Sequence, residues 1–137
     1  LEVDDQLAAL RNIRKHLVEQ GTFIFDVFVP DLDLIKEGLT DILDFEGQYE
    51  PGKALRRYVT SQPNLIRQLL QVTFKLEWEE NDGLRQETWE VPMRFFFRYE
   101  LQHLVERAGF STHTIYGDFD TSPLQKDSKE FVVVCRK

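Results

Sequence analysis

Thr22-Phe23-Ile24-Phe25-Asp26-Val27-Phe28-Val29-Pro30 is a near-continuous apolar run, rich in aromatic and β-branched residues, and it restricts the fold more than any other segment. Such a run suits a strand buried on both faces, as in a parallel sheet under helices. A strand of that kind also needs in-plane neighbours, and the remaining segments supply too few. The sequence therefore predicts that part of the sheet lies upstream. The N-terminus, Leu1-Glu2-Val3, has no initiator Met and fits that expectation. Asp26 is the one charge in the run and needs a reason to be there.

The flanking segments define an α/β chain. Leu7, Leu10, Ile13 and Leu17 recur at helical spacing and predict a helix over 4–20, started by Asp4 or Asp5 and ended by a left-handed Gly21. Residues 31–52 are acidic and irregular and read as a solvated loop with a short helix. From Lys53 the period changes to two. Leu55, Arg57 and Val59 alternate with Ala54, Arg56 and Tyr58 up to a turn at Ser61-Gln62-Pro63-Asn64. Val72, Phe74, Leu76 and Trp78 alternate with Thr73, Lys75, Glu77 and Glu79, as in a strand buried on one face. Asn81-Asp82-Gly83 signals a hairpin, and the return strand puts Trp89, Val91, Met93 and Phe95 on one side. An antiparallel meander of about three strands follows. A second helix is predicted over 99–109 with Gly109 as its stop, then a strand from Ser111 to Phe119, a loop, and a last strand from Glu130 to Arg136.

Composition narrows the function. The 17 basic and 24 acidic residues give a net charge of −7, which disfavours a sequence-independent binder of nucleic-acid backbones. No apolar run approaches the roughly 18 residues that span a bilayer, so no membrane partner is expected. No secretion signal is visible, and a cytoplasmic location is the expectation. Cys135, the one cysteine, lies in Phe131-Val132-Val133-Val134-Cys135 and reads as a buried, inert thiol. His16, His103 and His113 have no Cys or carboxylate at ligand spacing, so no metal site is predicted. The acidic sets Asp31, Asp33, Glu37 and Asp118, Asp120 lack the glycine and glutamate of a calcium loop.

Three segments, taken in order, resemble the C-terminal part of class I S-adenosylmethionine-dependent methyltransferases. Leu10-Arg11-Asn12-Ile13-Arg14-Lys15-His16-Leu17, running into Gly21-Thr22-Phe23-Ile24-Phe25-Asp26-Val27-Phe28, resembles the helix and glycine turn that enter the family's fifth strand. Phe97-Arg98-Tyr99-Glu100-Leu101 followed by Ala108-Gly109-Phe110 resembles the helix and turn before its sixth strand. Tyr116-Gly117-Asp118-Phe119-Asp120, Ser122-Pro123 and the final Phe131-Val132-Val133-Val134 resemble its closing antiparallel pair. The resemblance implies a Rossmann-like sheet in which the seventh strand lies antiparallel beside the fifth. The meander then matches the insert that covers the acceptor in small-molecule members. On this division, 1–30 and 98–137 belong to the methyltransferase core and 31–97 to the insert.

What the resemblance implies for function is transfer of a methyl group from S-adenosylmethionine to a small-molecule acceptor. The protein's contribution would be positioning and desolvation. Family members hold the cofactor through an acidic-Gly-x-Gly turn after the first strand; this chain has seven glycines and no Gly-x-Gly. No cofactor-binding residue is therefore assigned, no catalytic residue is identified, and the chain alone is expected to be inactive. Candidate substrate-facing residues are Asp26 and Pro30, at the end of the apolar strand where ligands sit in open α/β sheets, with a hydrogen-bonded structural role as the alternative for Asp26. Arg56, Arg57 and Tyr58 are candidates for meeting an anionic or aromatic substrate, against a solvated strand face. Trp78, Trp89, Met93 and Phe95 to Phe97 suit an apolar acceptor pocket or ordinary core packing. The expected partners are the small-molecule acceptor, the missing N-terminal half, and a second copy through the exposed strand edge. The competing function is a non-enzymatic binding or dimerisation module built on the same fold.

Overall fold

Leu7 and Leu10 lie one turn apart on α1 (Val3–His16) and are buried, while Arg11, Lys15 and His16 are exposed. The computed structural model describes residues 2–80 and 83–137 and ends this helix earlier than the sequence predicts, because Leu17 is already extended. Its end signals also differ. Asp4 and Asp5 sit inside the first turn, where they complement the helix dipole, and the cap is Glu2. The left-handed residue before the next strand is Gln20, at φ 60°, rather than Gly21. Gly21 is instead a close-approach position, where a Cβ would come within 2.8 Å of the Val18 carbonyl oxygen.

The chain divides into two compact units, one formed by the residues up to Pro30 with Phe95–Lys137, the other by Asp31–Arg94. The first unit holds a three-stranded sheet in the order β1 (Thr22–Phe28), β7 (Glu130–Arg136), β6 (Thr112–Tyr116). The middle strand, β7, runs antiparallel to both neighbours, with Val133 opposite Phe25 on one side and Ile115 on the other. This is the arrangement that the resemblance implies for the family's last three strands. Leu7 and Leu10 of α1, with Leu101 and Val105 of α3 (Arg98–Ala108), close a core over Phe131, Val133 and Cys135. Phe23, Phe25 and Val27 of β1 pack against that core, and the Phe23 ring stacks on Phe25 at 5.3 Å. The helix α3 starts where the Glu100 carboxylate accepts the Phe97 backbone N–H at 2.8 Å, and stops at a left-handed Gly109, φ 93°, as the sequence predicts.

β1 corrects the reading of its own sequence. Only one of its faces is covered, since Ile24 is 57% exposed and Asp26 is exposed beside it. Apolar side chains on both faces mark a strand built for cover on both sides; this chain provides it on one. Cys135, by contrast, is fully buried, and burial pushes its thiol up to about 11. The native chain should therefore resist a disulfide reagent at neutral pH and react only once denatured, because the thiolate is the reactive species. Fast labelling of the folded chain would contradict this packing.

The second unit is a four-stranded antiparallel meander, β2 (Leu39–Glu50), β3 (Lys53–Asn64), β4 (Leu69–Glu80) and β5 (Gly83–Arg94), with the short α2 (Leu32–Glu37) packed on it. The sequence predicts about three strands and a loop where β2 runs. β2 escaped the period-two pattern because its pairing with β3 shifts register at three places, between Leu39 and Ile42, Leu43 and Phe45, and Gln48 and Glu50. β3 likewise continues through the predicted turn to Asn64, and the chain reverses instead around Gln68, at φ 50°. The predicted strand after residue 110 is shorter too, ending at Tyr116. Asn81 and Asp82 of the predicted hairpin turn lie outside the described residues; Gly83, which follows, has φ 133°. Ile35 of α2, Val59 of β3, and Leu70 and Val72 of β4 are the buried apolar residues of this unit, with α2 packed on β3.

Candidate functional site

Consecutive strand residues point to opposite faces. Arg56 and Tyr58 therefore share one face of β3, and Arg57 lies on the other with Val59 and the β4 residues Phe74 and Leu76. The three candidates do not converge on one ligand. Arg56 donates from Nε to Glu46 Oε1 at 2.7 Å, and the Lys75 ammonium sits 4.3 Å from the Tyr58 ring centroid while pairing with Asp41 at 2.8 Å. This face is a lattice of neutralised charge.

The other face is more selective. Arg57 forks onto Asp44, Nε to Oδ1 at 3.0 Å and Nη2 to Oδ2 at 2.8 Å, which fixes the guanidinium plane. Its Cζ lies 5.1 Å from the centroid of Phe74, and Phe74 stacks on Trp89 at 5.3 Å with planes 29° apart. A guanidinium, a phenyl ring and an indole thus form one tier across β3, β4 and β5. Trp89 is 38% exposed and Phe45 46%, so the tier is an open platform. Because Asp44 already accepts the fork, the tier suits a neutral or aromatic group better than an anion. Asp44 and Glu46 were missed from sequence, since they stand in the segment read as a loop. One signal was available: acidic 44 and 46 and basic 56 and 57 flank Pro51-Gly52 almost symmetrically, as the two arms of a hairpin do.

Asp26 and Pro30 belong to the first unit. Asp26 lies opposite Val132 in the ladder, exposed, and makes no side-chain hydrogen bond or ion pair among the described residues. Pro30 is buried. Trp78 donates Nε1–H to Glu80 at 3.1 Å, and Phe95 meets Phe97 edge-on at 6.1 Å between centroids. Among the described residues no group of His, Cys, Asp and Glu is placed to hold a metal ion. No described helix is long and apolar enough to cross a membrane.

The glycines serve this chain's own packing and turns. A Cβ at Gly21, Gly38, Gly47, Gly109 or Gly117 would meet this chain's own atoms, and Gly52 and Gly83 are turn positions at the strand ends.

With β7 antiparallel between β1 and β6 under two helices, and a four-stranded meander inserted between β1 and α3, the chain has the fold of part of an S-adenosylmethionine-dependent methyltransferase. The similar solved structures include a S-adenosylmethionine-dependent methyltransferase from Clostridium acetobutylicum, 14% identical with a TM-score of 0.72, matched over 98% of this chain and 52% of its own. The CcbJ methyltransferase from Streptomyces caelestis is 19% identical with a TM-score of 0.69, over 99% and 54%. CalS10, an amino pentose methyltransferase from Micromonospora echinaspora solved with S-adenosylmethionine bound, is 13% identical with a TM-score of 0.65, over 100% and 52%. At these identities the likeness is one of fold, and this chain spans about half the length of the proteins it matches. No protein-family model and no curated protein sequence matches it.

Proposed function

We propose that the chain is the C-terminal part of a methyltransferase that moves a methyl group from S-adenosylmethionine to a small molecule. In this reading β1, β7 and β6 are the last three strands of the shared sheet, and the meander covers the acceptor. The observation that carries it is β1: apolar on both faces, paired with β7 on one edge, and without a strand on the other edge among the described residues. The open edge and the face bearing Ile24 are where upstream strands and their helices would pack. Asp26, at the exposed face near the strand's end, and Pro30 would then border the ligand crevice. The Arg57, Phe74 and Trp89 tier would meet the acceptor, with Arg56 and Tyr58 on the far face.

The cofactor belongs to the upstream half, because this chain offers no glycine turn for it. Calorimetric titration of the chain with S-adenosylmethionine should show no tight binding, and micromolar affinity would overturn this division of labour. A protein that restores the upstream half should bind the cofactor and contain an acidic-Gly-x-Gly turn after its first strand. The open β1 edge also favours a second reading, a non-enzymatic assembly module that pairs through that edge. An upstream sequence without the glycine turn would decide for it.

A further inference from the structure

In a chain whose net charge is −7, a cavity without a carboxylate is unusual. Two such cavities, of about 310 Å³ and 200 Å³, adjoin in the first unit where α3 lies against β6, and Arg98, Thr114 and Ile115 line both. Arg98 and Gln102 are four residues apart and share one face of α3, while His113 and Ile115 share one face of β6. The smaller cavity is therefore rich in donors: a guanidinium, an amide and an imidazole. The larger one adds apolar surface from Pro123 and Leu124, with Tyr116 and Thr121 as hydroxyl-bearing neighbours. A cavity of about 290 Å³ at Gly117, in the same unit, is different, since Asp118, Asp127 and Glu130 line it.

Arg98 is the uncommitted charge. Its Cζ lies 5.6 Å from the Tyr99 ring centroid, and the guanidinium makes no hydrogen bond or ion pair among the described residues. The carboxylate beside His113 is Glu106, 3.9 Å from Nε2, and it lines neither cavity. It accepts Gln102 Nε2 at 3.0 Å and lies 3.6 Å from His103 Nδ1, so its charge is already shared among three side chains. We propose that the adjoining cavities bind a small oxyanion that carries an apolar group, a phosphomonoester or a carboxylate, with the anion on Arg98 and the apolar group over Ile115 and Leu124. A guanidinium forks onto two oxygens of either anion, and His113 and the second N–H of Gln102 stand at the same end as further donors. The combined space suits a small molecule. The site shares no residue with Asp26, Pro30 or the Arg57 tier, so it stands beside the methyltransferase reading and does not rest on it.

Calorimetric titration of the chain with phenyl phosphate, benzoate and phenol tests the proposal. The anions should bind, and phenol, which keeps the ring without the oxyanion, should bind at least about tenfold more weakly, as loss of a charge-assisted hydrogen bond predicts. The tighter of the two anions tells phosphomonoester from carboxylate. Arg98→Ala should weaken that anion by about tenfold or more. Lys15→Ala, which removes an exposed positive charge from α1, should leave it unchanged. Absence of binding by both anions overturns the proposal. So does phenol binding equal to theirs, or a loss in Arg98→Ala no larger than in Lys15→Ala. Should Arg98→Ala misfold, the amide resonances of the unmodified chain decide on addition of phenyl phosphate: shifts centred on residues 98–102 and 113–116 support the site, and shifts centred elsewhere overturn it. No arm contains S-adenosylmethionine, so the anion site and the methyltransferase reading stand or fall separately.

Discussion

Alanine in place of Gly38 is expected to destabilise the meander by about 3 kcal/mol or more, well beyond the common cost of a surface substitution. Gly38 joins α2 to β2 at φ 72° and ψ −169°, a conformation that residues with a side chain essentially do not adopt. Space opposes the change independently. A Cβ at Gly38 would overlap the carbonyl oxygen of Ser61 and come within 3.0 Å of Pro63 Cδ. Neither neighbour can move cheaply, since Ser61 is held between Leu39 and Val72 in the ladders of β2, β3 and β4. Gly52→Ala is the control. Gly52 also has positive φ, 79°, but open space around its Cβ position, so only the backbone cost of about 1–2 kcal/mol remains. Both tryptophans, Trp78 and Trp89, are in this unit, so their fluorescence during denaturant unfolding reports on it. Equal shifts for the two variants would show that the contact with Ser61 is not tight.

The same residues explain what sequence reading captures here and what it does not. β3, β4 and the hairpin between β4 and β5 are visible because their side chains alternate without interruption over long stretches. β2 is invisible because each register shift moves the next apolar residue off the alternating pattern, so Leu39, Ile42, Phe45 and Tyr49 have no single period. Losing β2 also hides Asp44 and Glu46, and with them the fact that Arg57 and Arg56 are already paired. A run such as Arg56-Arg57-Tyr58 looks like a ligand-binding cluster until strand geometry splits it between two faces. In the first unit the order of segments is legible because apolar periods are local signals, and so is the stop at Gly109, though not the one read at Gly21. The exposed Ile24 face is legible only as a contradiction: a sequence built for burial on both sides, in a chain that covers one.

Whether the first unit is a closed core despite that open face can be measured at Leu101. Leu101→Ala should cost about 2–5 kcal/mol, the range for truncating a fully buried leucine that leaves a cavity. Leu101 is 0% exposed and packs in α3 among Leu7, Leu10, Val105 and Val133, so the helix, its neighbour and the central strand all lose contacts together. Tyr99→Ala on the same helix is the reference. Tyr99 is 66% exposed, and its loss should fall within about 0.5 kcal/mol of no effect. The long helices α1 and α3 both belong to this unit, so far-UV ellipticity follows its unfolding as fluorescence follows the meander. The comparison also bears on the upstream strands proposed above. If Leu101→Ala proves as mild as Tyr99→Ala, the core around Val133 is loose in this chain and needs upstream elements to tighten it. The expected large cost means that β1, β7 and β6 with two helices already form a complete hydrophobic layer. The upstream half would then dock against a finished surface at Ile24 and the free β1 edge.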